Sequence, residues 1–285
     1  MLSLTISDSK DDQYRIVELL DVGSTSSIFS AVKDGTLFTI KEYKRSTDTW
    51  YGVEEVETLN RCKGPHVPIV HDSWVSNTGK FCIAMEYMNH NLLSFLPFSG
   101  TYISIEEKSE YAKQLIEAVR DVHDKKIVHF NLKPENILLT KNLKLKLIDF
   151  EFAETFENVY SKQFMEDFDH TKIVKATPSY RPIEGFLPTV DPVSINEKTD
   201  IWGIGCILWD MLYPLPLFKP HTFADDFDDV EQTFLDGYDR VKNLAKTDDP
   251  FFKKMYKTIL MCIEIDKYKR PTAQQLLDFW NRVSA

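Results

Sequence analysis

Up to about residue 86 the apolar positions fall in short runs rich in β-branched and aromatic residues. These are Tyr14 to Leu20, Ile28 to Val32, Leu37 to Tyr43, Ile69 to Trp74 and Phe81 to Glu86, separated by Gly, Ser, Asp or Asn. Runs of this kind predict strands. One segment differs: Tyr51 to Cys62 carries Val53, Val56 and Leu59 at helical spacing. Beyond Tyr87-Met88-Asn89 the period becomes helical. Tyr111, Leu115, Ile116, Val119 and Val122 form a stripe from about Ile105 to Lys126, and Ile201, Ile204, Ile207, Leu208, Met211 and Leu212 mark a helix apolar on most sides, hence buried. Phe223, Phe227, Val230 and Phe234 make another stripe, and Leu276, Leu277 and Trp280 lie on a last helix. There is no internal repeat and no low-complexity linker. The pattern predicts an α+β architecture: a small β-rich lobe over about 1–86, a hinge at about 86–89, and a larger helical lobe over about 90–285, with a cleft between them.

Composition narrows the function classes. A chain of 285 residues, 43% hydrophobic, can bury a sizeable core. A formal charge of −10 argues against a general binder of nucleic acid or anionic membranes, and suits protein partners. The first residues carry no signal-peptide core, and no apolar run approaches the roughly 20 residues that cross a bilayer. Cys62, Cys82, Cys206 and Cys262 are far apart and form no C-x-x-C pair, so each is expected as a small buried residue in a reducing compartment. The expected location is cytoplasmic or nuclear.

The chemistry concentrates in a few motifs. His129-Phe130-Asn131-Leu132-Lys133-Pro134-Glu135-Asn136 has the spacing of H-R-D-L-x-x-x-N. Thr39-Ile40-Lys41 puts a cation on a strand, and Glu55 lies on the single helix of the first lobe, with Glu54 and Glu57 as neighbours. Asp149 follows the strand Lys144 to Ile148, in Asp149-Phe150-Glu151. Downstream come Thr177-Pro178-Ser179-Tyr180-Arg181-Pro182-Ile183-Glu184, then Asp200-Ile201-Trp202-Gly203-Ile204-Gly205, then Lys269-Arg270-Pro271-Thr272. Any one of these is weak evidence; Lys41 alone would read as a solvated surface lysine.

In this order and spacing, the motifs resemble the eukaryotic protein kinases from about Tyr14 to Trp280, and Leu-Lys-Pro-Glu-Asn favours the serine/threonine branch. The resemblance implies a two-lobed protein-kinase fold, a single kinase domain over 1–285, and Mg-ATP as cofactor in the cleft. It implies that Lys41 pairs with the nucleotide phosphates, that Glu55 orients it, that Asn136 and Asp149 hold magnesium, and that Lys133 contacts the transferred group. Gly23, Ile28, Thr39 and Leu138 would line the nucleotide site, with Met85 at its back and Glu86, Tyr87 and Met88 as hinge. His129, Thr177, Glu184, Asp200 and Arg270 would be structural, with Glu184 paired to Arg270 and Asp200 bracing the catalytic loop.

The departures from the family pattern are specific. Asn131 stands where the Asp base belongs, and an amide has no useful basicity near pH 7. Of the glycine-rich loop only Gly23 remains, with Asp21 and Ser26 at the outer positions. Phe130 replaces the Arg that clamps a phosphorylated activation segment, although Thr155, Ser161 and Thr171 remain candidate phosphorylation sites. That segment is acidic, with Glu151, Glu154, Glu157, Glu166, Asp167 and Asp169. Glu151 takes the place of the D-F-G glycine, where it could repel phosphates or add a metal ligand. The expectation is a pseudokinase or regulatory kinase homologue that binds Mg-ATP, with impaired phosphoryl transfer and a protein substrate or regulated protein partner. Two alternatives stand beside it. One is an active kinase carrying a deliberate Asp-to-Asn change at position 131. The other is a nucleotide-independent interaction module built on the acidic strip Phe223 to Val230, with Asp225, Asp226, Asp228 and Asp229.

Overall fold

The computed structural model describes residues 9–88, 90–97, 103–160, 177–186, 196–220 and 227–283. The chain divides into two compact units: Met1–His90 with Leu138–Glu151, and Asn91–Ile137 with Phe152–Ala285. The hairpin segment Leu138–Glu151 therefore belongs with the first unit, although by chain order it follows the start of the helical part. Its attachment is polar: Leu147 N donates to His66 O at 2.8 Å, and the buried Lys146 ammonium donates to Val67 O at 3.1 Å and pairs with Glu86.

The first unit is built on five antiparallel strands, β1 (Arg15–Val22), β2 (Ser26–Lys33), β3 (Thr36–Tyr43), β4 (Val70–Val75) and β5 (Phe81–Glu86). Their order is β1-β2-β3-β5-β4. All five expected strands are present, four of them shifted or extended by a residue or two and β5 at its expected bounds. β1 and β2 continue until only Gly23, Ser24 and Thr25 separate them. β1 is an edge strand, and Ile16, Val17, Leu19, Leu20 and Val22 are exposed. Tyr14, Ala31, Ile40, Trp74, Cys82 and Ala84 form a core cluster, with Tyr14 stacked on Trp74 at 5.2 Å between ring centroids. Helix α1 (Thr49–Arg61) buries Gly52, Glu55, Val56 and Leu59 on one face.

In the second unit the expected stripes form α2 (Ile105–Asp124), which ends two residues early, and the short helix α3 (Phe156–Tyr160) precedes α4 (Lys198–Asp210). A capping box starts α2, with Ser104 Oγ accepting from Glu107 N and Glu107 Oε2 accepting from Ser104 N. Twelve of the thirteen residues of α4 are buried, as its all-round apolar pattern required. α5 (Phe227–Leu244) carries Val230 and Phe234 inward, while Phe223, Asp225 and Asp226 lie outside the described residues. α6 (Pro250–Cys262) was not anticipated, although its start is legible: Asp249 caps Phe252 N and Pro250 occupies the first turn. α7 (Ala273–Arg282) ends the fold. Two short strands of this unit, β6 (Ile127–Val128) and β9 (Glu154–Thr155), pair antiparallel, while β7 (Ile137–Leu139) leads into the Leu138–Glu151 hairpin that holds β8 (Leu145–Leu147). The core of this unit holds an aromatic group in which Trp202 meets Phe218 at 5.0 Å and Phe234 at 5.2 Å.

Candidate functional site

In the first unit the polar chemistry gathers around Lys41. Alternation along β3 puts Thr39, Lys41 and Tyr43 on one face, and pairing sets Thr39 opposite Met85 and Lys41 opposite Ile28 and Ile83. The Lys41 ammonium, with its side chain only 5% exposed, lies 2.8 Å from Glu55, 3.0 Å from Asp149 and 3.9 Å from Glu151. Burial alone would push Lys41 down, but Glu55, then Asp149, outweigh it and hold its pKa well above the ordinary value. Among the acids on α1, Glu55 makes this pair, whereas Glu57 is exposed. Tyr43, which the sequence reading did not single out, donates its hydroxyl to Glu55 Oε2 at 2.6 Å. The available signal was its position two residues after Lys41. Glu55 also accepts from Phe150 N at 3.2 Å, joining α1 to the Asp149 segment. Asp149 has a φ of 65°, an uncommon conformation for a residue other than glycine.

A second group occupies the other unit. Asp200, on the first turn of α4, accepts from His129 N at 2.8 Å and Phe130 N at 2.9 Å, and its Oδ2 lies 2.9 Å from His123 Nε2. Two backbone amides of the loop are thus fixed by one buried carboxylate. Asn131 N donates to His129 Nδ1 at 3.2 Å, and Asn136 Nδ2 donates to Asn131 O at 2.8 Å. His129, Asn131 and Asn136 are all buried. Gly203 permits the close approach of this loop to α4, because a Cβ there would lie 2.9 Å from Leu132 Cβ. Phe130 has a φ of 61° and packs with Val128 and Val159, against Phe152 and Phe156. An apolar cluster therefore stands where the resemblance implies a cation.

The remaining expected residues are placed as follows. Glu184 and Arg270 form a buried two-bond ion pair at 2.6 and 2.8 Å, and the Arg270 guanidinium also lies over the Trp202 ring. Met85 and Met88 are buried, and Ile28 and Leu138 are partly so. Glu86 directs its carboxylate to Lys146 and to Ile69 N. Lys133 is half-buried at the head of the turn Pro134–Asn136, and Thr177 opens the turn Pro178–Tyr180. Gly23 N donates to Ser26 O at 2.9 Å, closing the loop between β1 and β2. Ser161, Glu166, Asp167, Asp169 and Thr171 lie outside the described residues. The four cysteines are buried and unbridged. Among the described residues no helix is long and apolar enough to cross a membrane.

Comparison with known proteins identifies the family. The family model described as "Protein kinase domain" matches residues 14–280. Relatives include "Serine/threonine-protein kinase TIO" of Arabidopsis thaliana, 24% identical over 85% of this chain and 19% of its own length. "Probable serine/threonine-protein kinase nek2" of Dictyostelium discoideum is 25% identical over 94% of this chain and 62% of its own length. "Probable cell division protein kinase ECU11_1290" of Encephalitozoon cuniculi is 26% identical over 78% and 68%. The chain therefore spans less than two thirds of the first two relatives. With its five-stranded antiparallel unit, its helical unit and a family match over nearly all its length, the chain belongs to the protein kinase family and is serine/threonine-kinase-like.

Proposed function

We propose that the chain binds Mg-ATP and that its capacity to phosphorylate a protein hydroxyl is weakened at one step, acceptance of the proton. The observation that carries this reading is the intact Lys41–Glu55–Asp149 group in a chain whose base position is an amide. The donor set suits the cofactor. Magnesium takes one or two protein oxygens and completes its shell with phosphate oxygens and water; Asp149, beside Lys41, offers one such oxygen, and the family resemblance assigns a second to Asn136. When bound, the metal would neutralise charge developing on the phosphates.

The chain's own residues do the rest. Lys41, fully charged at neutral pH, attracts phosphate oxygens, and Glu55, itself held by Tyr43, fixes where that charge sits. By the family resemblance, Lys133 would supply a second cation to the transferred group. The Asn131 amide can accept a hydrogen bond from a substrate hydroxyl and so orient it, but it cannot take the proton. A positioned general base contributes about 10²–10⁴ in rate, roughly 3–5 kcal/mol of barrier. Slow residual transfer follows, since positioning and charge neutralisation survive. The Phe130 cluster supports control that does not depend on phosphorylation of the activation segment. A cytoplasmic or nuclear setting with a protein substrate or regulated partner completes the reading.

The test is a Mg-ATP titration of the chain together with phosphate transfer measured before and after Asn131→Asp. Saturation at about 100 times the dissociation constant adds about 2.7 kcal/mol of stability, which a thermal melt detects. Asn131→Asp is expected to raise transfer about 10²–10⁴-fold. No gain in transfer would sink the proton-acceptance claim, and no melting shift would sink the nucleotide claim.

A further inference from the structure

Glu151 occupies a position where the family has glycine, and its carboxylate is not turned to solvent. Its side chain is 7% exposed, lies 3.9 Å from the Lys41 ammonium, and accepts from Thr25 Oγ1 at 2.8 Å. Thr25 sits in the β1–β2 loop, which is closed by Gly23 N to Ser26 O and anchored by Lys44 N to Thr25 O at 2.8 Å. A second bond ties the Lys44 ammonium to Gly23 O. The carboxylate thus fastens the loop to the Asp149 segment while sharing Lys41 with Glu55 and Asp149. One ammonium stands among three carboxylates.

We propose that Glu151 acts as an internal anion competing with nucleotide phosphate for Lys41 and the β1–β2 loop, and so sets how strongly the chain discriminates between a phosphorylated nucleotide and the bare nucleoside. The inference rests on the nucleotide-binding reading above. Phosphate oxygens need the Lys41 charge and the loop donors, and Glu151 already engages both. An entering polyphosphate must either displace this carboxylate, breaking its bond to Thr25, or remain beside it and suffer like-charge repulsion in a poorly screened setting. A glycine would impose neither cost. An uncharged nucleoside makes no demand on Lys41 and is indifferent to Glu151. A divalent cation accompanying the phosphates offsets the repulsion, so the discrimination is sharpest without metal.

The opposite role, a metal ligand, predicts the opposite sign, and titration separates the two. Adenosine, ATP with a chelator and ATP with magnesium are titrated calorimetrically into the chain, Glu151→Gln and Glu151→Gly, each first checked by thermal melting. Both variants are expected to bind metal-free ATP at least about tenfold more tightly, equivalent to about 1.4 kcal/mol, with adenosine unchanged within about twofold. Mg-ATP affinity should rise by a smaller factor. Thr25→Val, which releases the loop and keeps the charge, should produce a smaller gain for metal-free ATP than either Glu151 variant. Unchanged or weaker ATP binding in both Glu151 variants would overturn the proposal, as would an equal rise for adenosine. Should adenosine and ATP bind none of these proteins, the nucleotide-binding reading falls and this proposal with it. Failure of this inference alone is recognised by adenosine and ATP binding normally to all of them.

Discussion

Gly52 offers a direct way to test how Glu55 is held. It lies on the buried face of α1, one turn before Glu55, and a Cβ built there would meet Phe81 Cδ1 at 2.2 Å, Cε1 at 2.8 Å and Cγ at 3.0 Å. Ordinary contact begins at 3.4 Å, so helix and ring must separate by 3.4 − 2.2 = 1.2 Å. Phe81 cannot readily supply that movement. It is fully buried on β5, and its ring meets Tyr43 at 6.3 Å between centroids, whose hydroxyl in turn holds Glu55. If α1 moves instead, a Lys41–Glu55 distance of 2.8 Å opens towards about 4 Å, the outer limit of a useful ion pair. Overpacking costs about 1–3 kcal/mol, and alanine in place of glycine inside a helix returns at most about 1 kcal/mol. Gly52→Ala is therefore expected to lower stability by about 1 kcal/mol in urea denaturation and to weaken Mg-ATP binding about tenfold. A variant more stable than the parent, with unchanged nucleotide affinity, would show that the ring yields and that Gly52 does not position Glu55.

Two further predictions concern the second unit. Glu184→Ala leaves the Arg270 guanidinium buried without its carboxylate, and a loss of about 3–5 kcal/mol is expected in chemical denaturation; a loss under about 1 kcal/mol would show that Arg270's backbone acceptors suffice. Burial, with Glu135 adding to it and the Tyr180 hydroxyl opposing, pushes the Asp210 carboxyl up to about 7. A folded pKa raised above the unfolded value means that its contribution is fully present below about pH 4 and is lost as pH rises through about 7. Asp210→Asn should remove that slope, gaining on the parent by up to roughly 4 kcal/mol between pH 4 and 8 in melts across that range; parallel stability curves would refute the assignment.

The strands, the main helical stripes and the order of the motifs were legible because hydrophobic period and motif spacing are local properties of a chain. Asp200 and the Glu184–Arg270 pair could be anticipated only through the resemblance, since their partners are distant in sequence. α6 shows the reverse: its Asp-Pro start was present and local, and was passed over. Other features could not be read locally at all. That Glu55 meets Lys41 while Glu57 is exposed depends on the rotation of α1 against the sheet, where Gly52 faces Phe81. The burial of Phe130 at a positive φ depends on Val159 and Phe156 further along the chain.

The sequence by itself determines that position 131 carries an amide with no useful basicity near pH 7, because basicity belongs to the side chain itself. Where the Glu151 carboxylate points is a different matter. Only the tertiary structure decides that, by bringing Thr25 and Lys41 to it from distant parts of the chain, since an electrostatic effect depends on distance in space and not on order in sequence.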